Sequence, residues 1–134
     1  MSSFDFGAVS AYRYAGANAV AANTNADSIA IDTQGFEGVA VVSAIGASTL
    51  DPETSLTVSR VFLEGDDTNV SNASALDSSF VVTNPVLGAS NVAVKASVKT
   101  NKRYLFVRYV PTTNATANIT TIGALGFPHE APAE

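Results

Sequence analysis

Asp66-Asp67 and the spaced pair Asp51 and Glu53 are the residues whose type and spacing come nearest to chemistry in this chain. Two carboxylates can act on a sugar as acid and nucleophile, but that needs a cleft and environments that push their pKa values apart. Among turn formers such as Gly65, Thr68 and Asn69 they are expected to be solvated loop residues. Glu64, Asp66, Asp67 and Asn69 offer the oxygen ligands that Ca²⁺ takes, yet the spacing of a recognised loop is absent. His129 lies in the irregular stretch Pro128-His129-Glu130-Ala131-Pro132 and is expected to be solvated, not a ligand. The chain has no cysteine, so disulfides, thiolate metal sites and cysteine nucleophiles are excluded. There is no catalytic triad pattern and no phosphate-cradling glycine loop before a helix. The expectation is a protein that is not an enzyme and carries no cofactor or metal.

Cations and aromatics concentrate in Val92 to Pro111, VAVKASVKTNKRYLFVRYVP, which holds Lys95, Lys99, Lys102, Arg103 and Arg108. Two alternating runs flank Thr100-Asn101-Lys102, which predicts a basic β-hairpin. Lys95, Ser97 and Lys99 alternate with Val94, Ala96 and Val98, so the ammonium groups should point away from the core. From Tyr104 to Val110 both faces carry bulky residues and an arginine, which predicts a strand covered on both sides. Arg108 is then expected to be structural, pairing with a carboxylate or stacking on tyrosine. Aromatics beside cations also suit single-stranded nucleic acid. The sequence pI near 4.6 argues against that partner.

The formal net charge is −5, and only 14% of residues are charged. Acids cluster between Asp27 and Asp77, where Arg60 alone opposes them, while Ser78 to His129 holds cations and no acid. The two segments either meet across subunits or neutralise each other in one sheet. The second is favoured, because neighbouring strands commonly carry opposite charges.

These side chains need strands to position them. The alternation and turn spacing predict an all-β protein, a single antiparallel β-sandwich or barrel, jelly-roll-like, with an extended N-terminal arm and a short irregular C-terminal tail. The divisions are 1–27 for the arm or first strands, 28–127 for the β domain and 128–134 for the tail. Ser28 to Thr33 is a short strand with Ile29 and Ile31 on one face. Phe36 to Ile45 is a longer strand, apolar on both faces, and Ser55 to Glu64 is the next. Gly65 to Ser79 is a loop with room for one edge strand. Phe80 to Thr83 and Ala117 to Ala124 complete the set. No apolar run approaches the roughly 18 residues of a membrane helix. The start MSSFDFG lacks the pattern of a signal peptide, so synthesis in the cytosol is expected.

This order of elements, the apolar strand Gly35 to Ile45, the segment Ser55 to Asp67 and the basic run Val92 to Pro111, resembles small virion structural proteins of tailed bacteriophages. Capsid decoration, or cement, proteins are the nearest type, over roughly Asp27 to Phe127. The resemblance implies a protein on the outer capsid surface that bridges subunits of the major capsid protein and is itself a homotrimer or dimer. No nucleic-acid or membrane partner is expected, given the acidic pI and the absence of a long apolar run. The expected contact residues are Phe4, Phe6, Tyr12, Tyr14, Lys95, Lys99, Lys102 and Arg103. A tail or head-to-tail component and a glycan-binding adhesion sandwich are the alternatives. For the latter, Tyr12 and Tyr14 would form a sugar platform, against the expectation that tyrosines alternating on a strand are packing residues.

Overall fold

The computed structural model describes residues 12–77, 80–112 and 114–128. Through them run β1 (Tyr12–Val20), β2 (Ala26–Asp27), β3 (Ile31–Asp32), β4 (Phe36–Ser48), β5 (Val58–Gly65), β6 (Ser74–Ala75), β7 (Val81–Thr83), β8 (Val92–Lys99), β9 (Tyr104–Pro111) and β10 (Ala117–Pro128). One sheet has the order β1-β10-β4-β8-β7. The other has the order β2-β9-β5-β6, with β3 also pairing β9. Every pairing is antiparallel.

The pairing is nested: first strand with last, β2 and β3 with β9, β4 with β8, and β5 with β6. A chain that doubles back on itself and then wraps over two sheets in this way is a jelly-roll sandwich. The two sheets stay separate and do not close into a barrel. Strand periodicity builds the interior directly. Val39, Val41 and Ile45 of β4 face inward, as do Val58 and Phe62 of β5 and Leu105, Val107 and Tyr109 of β9. Each such side chain, fully buried, contributes about 1.5–3 kcal/mol. Gly123 of β10 belongs to this layer because a Cβ there would lie 3.1 Å from Ile31 Cγ2 and 3.3 Å from Val39 Cγ1.

The expected hairpin of Val92 to Pro111 does not form. β8 pairs with β4 and β7, β9 pairs with β5, β2 and β3, and the connection between them crosses from one sheet to the other. The buried Thr100 makes the crossing. Its hydroxyl donates to Glu64 at 2.6 Å and accepts from the Lys102 amide at 3.1 Å, tying the end of β8 to the opposite sheet.

The strand expected over Ser28 to Thr33 is also broken. Ile31 is fully buried and Ile29 is exposed, so they do not share a face. Ser28 exchanges bonds with Val107 of β9, and the next amide, Ile29 N–H, donates instead to Ala15 O of β1. The segment thereby leaves one sheet to reach the edge of the other. Residues 12–27, placed in the arm or first strands, supply β1 and β2. A bulge at Gly16, with φ of +104°, sits where the β1 register shifts between Tyr14 and Ala17. The edge strand allowed for in the 65–79 loop is β6. Phe4 and Phe6 lie outside the described residues.

Candidate docking surface

The outward face of the β1-β10-β4-β8 layer follows from register. Tyr14, Ile122, Val42 and Lys95 form one row across four strands, and Tyr12, Ala124, Ala40 and Ser97 the next. Ala17, Thr120, Ala44 and Ala93 form a third. Tyr12 is 65% and Tyr14 61% exposed, so neither is a packing residue. This overturns the expectation for alternating tyrosines. Among the described residues β1 is the outermost strand of its sheet, and its outward side chains have a described neighbour strand on one flank.

Small residues keep the face flat, and beside the Ala17 to Thr120 row lies a trough of about 520 Å³. Four strands spaced about 4.8 Å apart and eight residues long cover roughly 500 Å². That matches the largest patch of an ordinary monomer, about 300–600 Å², but is short of the ~800 Å² per partner of a stable interface. Any macromolecular partner must therefore also contact flanking loops.

Among the described side chains of these rows, Lys95 is the one formal charge, and Lys99 follows on the same side of β8. Lys99 also lines a second feature, a cleft of about 420 Å³ between the Thr33–Phe36 turn and the β8–β9 crossing, together with Lys102 and Arg103. The cleft is not a concentrated positive site. Arg103 donates from Nε and Nη2 to Asp32 at 3.1 and 2.9 Å and lies 5.0 Å over the Tyr104 ring. Lys102 reaches Asp66 at 3.3 Å. The Arg103 hydrogen bonds hold the Asp32 carboxyl below the usual carboxylate range. Arg108 pairs with Asp27 through Nε at 2.7 Å and Nη2 at 3.2 Å, the structural role expected of it. Lys102, Arg103 and Arg108 of the basic segment thus pair with Asp66, Asp32 and Asp27 of the acidic one within the molecule, as favoured from the charge pattern.

The carboxylates that resembled chemistry are dispersed. Glu64 accepts from Thr100, Asp66 faces Lys102, and Asp67 accepts from the Asn69 amide and the Asn72 side chain. Asp51 caps the 3₁₀ turn Pro52–Thr54 through the Glu53 amide. Among the described residues no cluster of acids and histidines has the geometry to hold a metal ion.

One polar group sequence reasoning missed lies inside the sandwich. Arg60 and Tyr109 are cross-strand partners in one sheet, Ser43 and Thr121 in the other, and the two pairs meet face to face. Arg60 Nη1 donates to Ser43 Oγ at 3.2 Å, Ser43 and Tyr109 hydroxyls are 2.7 Å apart, and Tyr109 and Thr121 hydroxyls 2.6 Å. All four are buried. The available signal was Arg60 itself, a charge interrupting the inward run Leu56, Val58, Phe62.

The eight expected contact residues therefore divide. Tyr12, Tyr14 and Lys95 share the flat face, Lys99, Lys102 and Arg103 share the cleft, and Phe4 and Phe6 are not described. Comparison with protein-family models, with curated proteins and with solved structures finds no match to this chain.

Proposed function

We propose that this protein is a non-enzymatic structural component of a bacteriophage virion that docks on the outer surface of the capsid and stabilises it by bridging subunits of the major capsid protein. The observation that carries the reading is the flat, charge-poor outer face of the first sheet, with Tyr12 and Tyr14 standing free at one margin and Lys95 at the other. Large exposed aromatics beside small neutral residues are what a protein interface core buries. The jelly roll is also an architecture of capsid and lectin domains, although a fold by itself assigns no function. The mechanism is linkage: a protein that binds several assembled subunits adds its binding free energy to the assembled state. In this reading the chain is made in the host cytoplasm, acts at the capsid surface as a homotrimer or dimer, and has no nucleic-acid or membrane partner.

Purified protein mixed with undecorated capsids should co-sediment, and electron microscopy should place it on the head. Tyr12→Ser with Tyr14→Ser should abolish binding while the melting temperature holds. A location on the tail would instead support a tail or head-to-tail component. The exposure of the tyrosine pair also favours a second reading, a glycan-binding sandwich in which the rings form a sugar platform. Saturable binding on a glycan array, lost in the double variant, with no binding to capsids, would replace the first reading with the second.

A further inference from the structure

Lys102, Arg103 and Arg108 each hold an aspartate, whereas Lys99, Asp51 and Glu53 have no ion pair among the described residues. These leftover charges stand at opposite ends of the sandwich. Lys99 lines the cleft beside Phe36, where β4 begins, and Asp51 and Glu53 follow Ser48, where β4 ends. A 13-residue strand at about 3.3 Å per residue puts roughly 40 Å between the two ends, so these charges cannot meet within one molecule.

The acidic end is a preformed knob. Asp51 and Leu56 exchange backbone hydrogen bonds of 2.8 and 3.0 Å, Asp51 Oδ1 accepts from the Glu53 amide at 3.0 Å, and residues 51–55 are all exposed. Behind it, a Cβ on Gly88 would lie 2.8 Å from Pro52 Cγ, so the Gly88 backbone buttresses the turn. Little freedom remains for this turn to lose on binding. The cleft is open to receive it. The Lys102 and Arg103 side chains are 43% and 46% exposed, and a Cβ on Gly35 would meet no atom within 4 Å. Its volume of about 420 Å³ falls near the low end of ligand sites, roughly 300–1,000 Å³, which suits a turn and not a strand or helix. Asp32 and Asp66 beside it already hold Arg103 and Lys102, which leaves the Lys99 ammonium to take a carboxylate.

We propose that the Asp51–Ser55 turn of one copy docks in the cleft of a second copy, with the Glu53 carboxylate on Lys99 Nζ. One chain carries both halves of the contact. The two surfaces differ, so the contact is heterologous and joins copies head to tail, into a ring where the rotation closes. A turn in a cleft of this size covers much less than the ~800 Å² per partner of a stable interface. The contact is therefore weak and salt-sensitive in free solution, and it strengthens wherever copies are held side by side. Tyr12, Tyr14 and Lys95 stay uncovered by it. The inference goes beyond the docking reading and needs no capsid.

A carbodiimide, which condenses a carboxylate with a touching ammonium group, tests the contact on the intact chain. In a concentrated, low-salt mixture of isotope-labelled and unlabelled protein, mass spectrometry should find Glu53 joined to Lys99 in peptide pairs of mixed label. Added salt should suppress this product. Glu53→Lys and Lys99→Glu, both at exposed positions and with melting unchanged, should each reduce it about tenfold or more. The chain carrying both substitutions should regain it, with acid and amine exchanged. No mixed-label product, a product joining other residues only, or one that survives both single reversals overturns the proposal. Lys99 linked to the major capsid protein and never to Glu53 overturns it too, and assigns the cleft to the shell. The Glu53–Lys99 product in a protein that does not bind capsids supports the contact and counts against the proposed function alone.

Discussion

Tyr109 joins the two layers of the interior through its hydroxyl, which bonds both Ser43 and Thr121. Tyr109→Phe leaves those two buried oxygens without a shared partner and should cost about 1–3 kcal/mol in denaturant unfolding. Burial pushes the Tyr109 phenol above its ordinary value, against the pull of its two hydrogen bonds and the Arg60 charge. The stability held by the neutral phenol is complete below the unfolded value, about 10, and is lost as pH rises from there through the higher folded value. Alkaline melting curves should therefore fall more steeply for the wild type than for Tyr109→Phe. Asp32 has the opposite sign. Its folded pKa is depressed, so its contribution is present above about 4 and is lost as pH falls through the lower folded value. Asp32→Asn should flatten that acid limb, by a small amount because the pair with Arg103 is solvent-exposed. Arg60→Met should be neutral or stabilising by about 1–4 kcal/mol, since a flexible apolar chain replaces a buried charge that has no ion pair among the described residues. Arg60 was visible in the sequence as a break in an apolar face. Its fate was not, because Ser43, Tyr109 and Thr121 come from three other strands, a relation set by topology that no local pattern carries.

At the scale of elements, periodicity told strand from loop but not which strand would be the neighbour. Lys95 and Lys99 alternating with Ala96 and Val98 correctly placed the ammonium groups outside and the small apolar side chains inside. The same alternation on either side of Thr100 to Lys102 also fits a hairpin, and nothing local separates a hairpin turn from a crossing between sheets. The deciding contact, Thr100 to Glu64, is between residues far apart in the chain. The two apolar faces of β4 were a sounder signal. They foretold both the core side with Val39 and Val41 and the outward side with Ala40 and Val42, which forms the middle of the flat face. Spacing between the layers rests on Gly123, where added atoms would press on Ile31 and Val39 of two other strands. Gly123→Val should destabilise by about 1–3 kcal/mol through overpacking, read as a lower denaturant midpoint with an unchanged slope. A variant as stable as the wild type would mean that the layers separate freely at this point.

For the whole molecule, charge is sorted along the strands and between the faces. β4 runs from the turn beside the cleft to the opposite end, where Asp51 and Glu53 are exposed with no ion pair among the described residues. The flat face has Lys95 and Lys99 and no acid among its described side chains. A two-fold contact about the middle of this face would set its lysine margin over the partner's tyrosine margin and offer the ammonium groups no acid, since an isologous interface presents one patch to itself. The face is therefore suited to a different surface, neutral at its centre and acidic where the lysines land. Lys95→Glu with Lys99→Glu reverses two exposed charges without touching the core, so melting should stay within about 0.5 kcal/mol of the wild type. Binding to capsids should weaken about tenfold or more and lose most of its salt dependence, because rim charges govern association and its screening. Unchanged binding across a salt series, with the double tyrosine variant also unaffected, would place the contact elsewhere on the molecule and remove the flat face from the docking mechanism.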